Sequence, residues 1–456
     1  MFVYSLTMRA SRALVYATAA ALPAHLLRVH LGPLSTTALE IAAVLTIVVY
    51  GVEVYVSGVR PRWPGAFTGP MLLVVASFPV AVVVSPDRAG ALEMVRTAFV
   101  EPALLFGVAC SVLTGPREMG RFVRALLLGG AAVAVMVLAA DIHAAALGAP
   151  DLLASPPVYG YSRAAEAGML LVPLIALAGA LALLLPRPWW RVDRVGPLAF
   201  LCLAVPAAVM TLSQAAWLAL GAVVFVLALA TTHGRRRRAL GVLVPAMAAL
   251  GMAAILAAPA RSSLAEGIRN GGGPVVGVDS RAQLWQDSAA MVRAHPLAGV
   301  GVGALGTRAG ATAEPADVAR RDDPSNLVLA FWLRLGVVGL AGLLWFTARS
   351  VRWLRALRSA PPPVRPFVVG AGAALLAVFC GGLLDTTYMS ADLAVLSLGV
   401  CALLASSARL SRVRLRALVR LPLPGAAADI EPAELPMPAD IPRRTGRHPR
   451  PPAAAA

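Results

Sequence analysis

The sequence contains no lysine, and charged residues of any kind are scarce. All 40 basic residues are Arg, and charged residues make up only 14% of the 456 positions. Soluble domains are about a quarter charged and close to half apolar, whereas this chain is 59% hydrophobic with a mean hydropathy of +0.76. The shortage of charge therefore excludes an ordinary soluble domain and predicts an all-α polytopic membrane protein.

Cysteine is also rare, and its positions carry no metal pattern. The four cysteines lie inside apolar runs, with no C-x-x-C pair and no His at ligand spacing (Cys110, Cys202, Cys380 and Cys401). We therefore expect neither a disulfide framework nor a metal site. The glycine-rich stretches 271–273 and 299–306 are not followed by G-K-S/T, so no nucleotide loop or cofactor is predicted.

Long apolar runs divide the chain into membrane-spanning segments. A helix needs about 20 apolar residues to cross the hydrocarbon core, and this criterion predicts about twelve spans. They lie near 12–30, 37–57, 65–84, 98–114, 122–141, 166–186, 196–212, 214–232, 239–258, 327–347, 366–386 and 390–407.

The distribution of Arg predicts how these spans are oriented. If the N-terminus is cytoplasmic, the short loops between spans place nineteen Arg residues inside and four outside. This bias follows the positive-inside rule and predicts a plasma-membrane protein with both termini in the cytoplasm. The absence of Lys, with abundant Ala, Gly and Pro, is typical of a GC-rich bacterial genome. Because the Arg residues lie between apolar spans, they are expected to meet anionic lipid, and no nucleic-acid partner is predicted.

Two segments lie outside the predicted spans and complete the domain organisation. We expect spans 1–9 over residues 1–258, a long extracytoplasmic loop over 259–326, and spans 10–12 over 327–408. A loop of this length is typical of a functional or a disordered segment, and its amphipathic stretch 280–294 favours function. Residues 409–456 are expected to form a basic cytoplasmic helix followed by a disordered tail rich in Pro and Ala.

The long loop and the span after it carry a series of short motifs in a definite order. They are the R-x-x-x-W element of Arg281 and Trp285, the P-L-x-G-x-G turn over 296–301, the N-x-x-L element from Asn326, and the G-x-x-G of Gly336 and Gly339. In this order, and with the span count, the chain resembles the O-antigen ligase and O-antigen polymerase superfamily of bacterial membrane glycan enzymes.

This resemblance implies a fold, a substrate class and a set of site residues. It implies a helical bundle with an extracytoplasmic cap, acting on a glycan carried by a polyprenyl diphosphate and on a glycan or lipid acceptor. The implied catalytic residues are Arg281, Ser325 and Asn326. The sequence departs from the family's motifs twice, with Ser325 in place of a His and Gln214 in place of an Arg.

The chemistry of several polar residues predicts a polar site at the outer end of the bundle. Arg binds phosphate through a planar fork of donors, which makes Arg281 and Arg163 phosphate-binding candidates, with an interfacial Arg that touches only lipid as the alternative. Ionisable groups at span ends usually face the bundle interior. This adds Glu166, Arg334, Asp385 and Asp392 as predicted substrate-binding residues, and the resemblance adds Gln214 and Trp285. An ion pair between Arg334 and one of the two Asp residues is the structural alternative to a binding role.

Two functions and a weaker third remain open at the level of sequence. The first is an inverting glycan ligase or polymerase, and the second is a non-catalytic relative that binds lipid-linked glycan beside other envelope-assembly proteins. The retained Arg281 and Asn326 favour the first, whereas Ser325 and Gln214 favour the second. A transporter is the third option, although no inverted repeat is evident.

Overall fold

The structure of the protein is a computed structural model. It describes residues 8–31, 34–58, 60–63, 65–146, 161, 164–185, 192–230, 278–304, 324–356, 360–386 and 389–419. In chain order the helices are α1 (Arg9–Ala20), α2 (Ala38–Ser57), α3 (Gly65–Val84), α4 (Arg88–Met94), α5 (Glu101–Val112), α6 (Pro116–Ala146), α7 (Ala164–Leu184), α8 (Val192–Met210), α9 (Gln214–Ala230), α10 (Val278–Ala294), α11 (Leu327–Ala356), α12 (Arg365–Gly382) and α13 (Ala391–Val419). A π-helical turn, Val95–Val100, joins α4 to α5.

Eight helical segments of the described chain are long and apolar enough to cross a membrane: Ala38–Ser57, Phe67–Val84, Arg88–Val112, Pro116–His143, Ala164–Leu184, Leu327–Arg355, Arg365–Gly382 and Ala391–Ser411. Two shorter apolar helices, Arg194–Met210 and Gln214–Ala230, lie at the seventh and eighth predicted spans. The prediction of an all-α polytopic bundle is thus confirmed. The ninth predicted span, 239–258, lies outside the described residues.

The first predicted span, 12–30, differs from the structure. Helix α1 ends at Ala20, and a 3-10 helix (Leu22–Leu26) follows it. The chain then forms the antiparallel hairpin of β1 (Arg28–Leu31) and β2 (Leu34–Thr37). Pro23 explains the break, because proline has no N–H to donate to the carbonyl four residues earlier and restricts the residue before it.

Helix α7 is the most deeply buried of the apolar helices. It is buried almost throughout from Ala164 to Leu181 and packs against α6, α8, α9 and α12. In contrast, α2 leaves a broad apolar face exposed, including Val48 and Val52. An apolar face of this kind suits a helix that borders lipid.

Residues 1–412 form one compact unit, to which all the contacts described below belong. The second unit, Val413–Ala456, is described only over 413–419, which are helical. The predicted tail beyond residue 420 lies outside the described residues.

Candidate functional site

Several of the predicted site residues meet around the connection between α12 and α13, here called the α12–α13 turn (383–390). The prediction places this turn at the extracytoplasmic end of the bundle. Side chains from α11 and from the 3-10 helix contact the turn or the first residues of α13. The turn therefore gathers polar groups that are far apart in sequence.

Asn326 lies directly before α11 and joins it to the end of α12. Its Oδ1 accepts hydrogen bonds from the backbone N–H groups of Val328 (3.0 Å) and Leu329 (3.1 Å). Its Nδ2 donates to the carbonyl oxygen of Leu383 at 2.9 Å. The side chain thus caps two of the N–H groups that every helix start leaves unpaired, and it fixes α11 against the α12–α13 turn.

Ser325 is nearly inaccessible and adopts an unusual backbone conformation. It is 3% exposed, and its φ of 47° lies in the left-handed region that residues other than glycine rarely enter. Its carbonyl oxygen accepts a hydrogen bond from Nε1 of Trp285 in α10 at 3.4 Å. Helix α10, which covers the amphipathic stretch of the long loop, is therefore attached to the start of α11.

The charged residues predicted at this end of the bundle take different partners. Nη1 of Arg334 donates to Sδ of Met389 in the α12–α13 turn at 3.6 Å. Asp385 and Asp392 are 2% and 1% exposed. Asp392 lies in the first turn of α13, where it accepts a hydrogen bond from the Ser390 hydroxyl at 2.6 Å.

Asp392 lies within ion-pair distance of His25, which the sequence analysis did not single out. Nε2 of His25 lies 3.5 Å from Oδ2 of Asp392, and its Nδ1 lies 3.2 Å from the carbonyl oxygen of Leu22. The ring also packs against Tyr161, with ring centroids 5.1 Å apart. The predicted first span concealed His25 within an apolar helix, and Pro23 was the signal for the break that brings it to the bundle end.

The start of α7 contributes to the same region. Burial is the largest cause that raises the pKa of Tyr161, and the nearby carboxylates of Asp392 and Glu166 raise it further. Glu166 itself lies half-buried in the first turn of α7. The Tyr161 hydroxyl therefore stays protonated at neutral pH and can donate a hydrogen bond.

Helix α9 begins close to the end of α12. The Ser213 hydroxyl accepts a hydrogen bond from the N–H of Ala216 at 3.2 Å and so caps α9, which makes Gln214 its first residue. A Cβ on Gly381 of α12 would lie 3.4 Å from the carbonyl oxygen of Ala215. Gln214 is thus at a helix start that adjoins the α12–α13 turn.

The glycine motifs of the long loop and of α11 form one interlocking structure. Helix α11 is interrupted at Gly336, which has φ 67° and ψ −171°. The carbonyl oxygen of Leu333 there accepts hydrogen bonds from the N–H groups of Val300 (2.8 Å) and Gly301 (3.1 Å). The N–H of Val337 in turn donates to the carbonyl oxygen of Leu297 at 3.0 Å. The loop turn thus forms hydrogen bonds with backbone groups that the break in α11 leaves without helical partners. One of these groups, the Leu333 carbonyl, belongs to the residue next to Arg334.

An apolar cleft begins next to Asn326. Its empty volume is about 1110 Å³, and it runs between α3, the π-helical turn, α5, α11, α12 and α13. Lining residues include Phe78, Phe99, Leu327, Phe331 and Leu398. Because Leu327 follows Asn326 directly, the apolar cleft adjoins the polar groups around the α12–α13 turn.

Two predicted phosphate-binding groups cannot be placed with the others. Arg163 lies outside the described residues, and for Arg281 only its backbone position in α10 is described. Among the described residues, no group of three or more His, Cys, Asp or Glu side chains is close enough to hold a metal ion.

Comparison with protein families identifies part of the chain. Residues 198–344, about a third of its length, match the family model described as O-antigen ligase. A search of curated proteins finds no match. The matched part extends from α8 into α11 and includes Gln214, Trp285, Ser325, Asn326 and Arg334, whereas the α12–α13 turn lies beyond it. The order of motifs and this match together make this part of the chain similar to the O-antigen ligase-like superfamily of membrane proteins.

Proposed function

We propose that this protein transfers a glycan from a polyprenyl-diphosphate carrier to a glycan or lipid acceptor at the outer face of the bacterial plasma membrane. Members of the O-antigen ligase family are glycosyl-transferring enzymes, and their substrates are lipid-linked glycans. The proposal assigns the donor, the acceptor side and the polar groups to particular parts of this chain.

The observation that carries the proposal is the apolar cleft beside a polar helix end. A polyprenyl diphosphate has a long apolar chain and a charged head, so its site must change from apolar to polar over a short distance. The apolar cleft reaches Leu327, and the preceding residue, Asn326, belongs to the polar groups around the α12–α13 turn. About 210 Å³ of the cleft is available to the centre of a water-sized molecule, which is less than an ordinary ligand pocket offers, so the cleft fits only a short part of a prenyl chain.

The chemistry needs charge stabilisation at the diphosphate and an acceptor oxygen. The acceptor hydroxyl attacks the anomeric carbon, the bond from that carbon to the diphosphate oxygen breaks, and the configuration inverts. We assign Arg281, with Arg163, to the diphosphate, since the leaving group gains negative charge as the bond breaks. Arg334, one residue from the loop contact at Leu333, is assigned to the glycan side of the donor.

We assign the remaining predicted residues to the acceptor side, where they either fix the helices around the site or border the space for the acceptor. Asn326 fixes the start of α11 through its cap, and Ser325 receives the Trp285 indole that attaches α10. Asp385 and Asp392 border the α12–α13 turn, where buried carboxylates can accept hydrogen bonds from sugar hydroxyls.

A non-catalytic relative is the second candidate, and two residues favour it. Gln214 and Ser325 stand where the family's motifs carry Arg and His. Such a protein would bind lipid-linked glycan in the same cleft and pass it to a partner enzyme.

Two measurements separate the two candidate functions. One is the glycan profile of a strain that lacks the gene, and the other is the effect of adding purified protein to membranes of that strain. We expect the strain to accumulate lipid-linked glycan and to lose one surface glycan, and purified protein added to its membranes should convert the accumulated intermediate. Accumulation that purified protein alone does not relieve would favour the non-catalytic relative. An unchanged glycan profile would contradict both.

A further inference from the structure

His25, Tyr161 and Asp392 form a polar cluster that involves three separate elements. His25 comes from the 3-10 helix, Tyr161 from the segment before α7, and Asp392 from the first turn of α13. The His25 side chain is 19% exposed, whereas that of Asp392 is 2% exposed. Of these two side chains, only the His25 imidazole therefore reaches the protein surface.

The Tyr161 hydroxyl is buried and has no hydrogen-bond partner in the described part of the chain. The residue is 8% exposed, and its hydroxyl is among the buried polar atoms without a partner. Buried tyrosine hydroxyls usually find a partner, because an unpaired buried donor costs free energy. A donor left open beside a partly exposed His points to a ligand with an oxygen atom.

The hydrogen bonds of His25 indicate which ring nitrogen can exchange a proton. A carbonyl oxygen can only accept, so Nδ1 carries the hydrogen that faces Leu22. Nε2 lies 3.5 Å from the Asp392 carboxylate, which is longer than the 2.7–2.9 Å of a charge-assisted hydrogen bond. Nε2 is thus not held in a short hydrogen bond.

We propose that His25, Tyr161 and Asp392 bind and deprotonate the acceptor hydroxyl, with His25 as the general base. This inference rests on the proposed glycan transfer, and it supplies the base that Ser325 cannot provide. Tyr161 donates a hydrogen bond to the acceptor oxygen, and Nε2 of His25 takes its proton as the oxygen bonds to the anomeric carbon. The diphosphate leaves with the electron pair of the broken bond, and the imidazolium, paired with Asp392, later gives its proton to water.

A purely structural role is the alternative, in which the ion pair only holds the 3-10 helix against α13. The two roles differ in what Tyr161→Phe does. Because the hydroxyl has no described partner, its removal should leave the melting temperature unchanged or higher. The proposal predicts that the same variant raises the KM for acceptor about threefold to tenfold, as expected for one lost hydrogen bond.

The test uses full-length protein reconstituted in liposomes, with lipid-linked glycan extracted from a gene-deletion strain as donor and membranes of that strain as acceptor. General-base catalysis contributes about 100-fold to 10,000-fold, so His25→Ala should lose at least about 100-fold in rate. Added imidazole should raise the rate of His25→Ala but not that of wild type. His143→Ala, at an exposed position in the last turn of α6, is the matched control and should be unaffected.

The outcomes separate this inference from the proposed function. If wild type transfers glycan while His25→Ala and Tyr161→Phe match it, the cluster has no catalytic role and the inference is overturned. If His25→Ala is inactive, melts at a lower temperature and gains nothing from imidazole, the role of His25 is structural and the inference is also overturned. If wild type itself transfers nothing, the proposed function fails and this inference falls with it.

Discussion

Gly336→Ala should destabilise the protein because the break in α11 requires a backbone conformation that only glycine adopts easily. With φ 67° and ψ −171°, Gly336 lies in a region that is essentially restricted to glycine and costs other residues about 1–3 kcal/mol. A Cβ there would also overlap the carbonyl oxygen of Leu297.

The loop contacts add to the expected loss. Displacement of Leu297 would weaken the hydrogen bond that its carbonyl oxygen accepts from the N–H of Val337. It would also weaken the two hydrogen bonds that the Leu333 carbonyl oxygen accepts from Val300 and Gly301. Each such bond contributes about 1 kcal/mol, so the total loss should be about 3 kcal/mol or more. Arg334 would also lose its fixed position, which should reduce glycan transfer.

A thermal melt of detergent-solubilised protein provides the assay. Gly336→Ala should melt several degrees below wild type. Gly221→Ala is the matched control, because Gly221 lies inside α9 with no atom within 4 Å of an added Cβ. That variant should melt at or above the wild-type temperature, since alanine favours helix over glycine. If both variants melted like wild type, the interlocked break would not contribute to stability.

Three further predictions concern topology, the tail and the helix cap. A reporter fused after Ala456 should behave as cytoplasmic and one inserted near Thr312 as external; an external C-terminal reporter would contradict the even span count. Truncation after Arg420 should leave membrane insertion and activity intact if the tail has no core to bury, and loss of folded protein would show otherwise. Asn326→Ala should cost about 1–2 kcal/mol through the lost cap, whereas Asn326→Ser keeps a cap oxygen and places no charge against the Leu383 carbonyl, so it should melt closer to wild type; equal melting of both variants would contradict the capping role.

Helix positions were well predicted because apolar runs of about 20 residues are a strong signal. The second predicted span, 37–57, corresponds to Ala38–Ser57, and the third, 65–84, to Gly65–Val84. The first span failed because hydropathy does not register Pro23, whose effect on the backbone ended the helix early. Irregular backbone does not change the hydropathy of a segment. The break in α11 at Gly336 could therefore not be predicted from the apolar runs.

The positions of several proposed site residues, though not their roles, could be predicted from the sequence for a similar reason. Motif order placed Ser325 and Asn326 at the start of α11, and the position of an ionisable residue at a span end placed Asp392 at the start of α13. The contact between His25 and Asp392 joins residues more than 360 positions apart. No local pattern encodes such a pairing, so it emerges only from the packing of the bundle.

The most direct test of the central claim is glycan transfer by the reconstituted protein and its Arg281→Ala variant. Wild type should move glycan from a polyprenyl-diphosphate donor to acceptor membranes without other proteins. Arg281→Ala should lose about 100-fold or more in rate, as is typical when one electrostatic contact to a developing charge is removed. Arg320→Ala in the same loop should stay close to wild type. Equal transfer by wild type and Arg281→Ala would contradict the assignment of Arg281 to the diphosphate, and no transfer by wild type would contradict the enzymatic account.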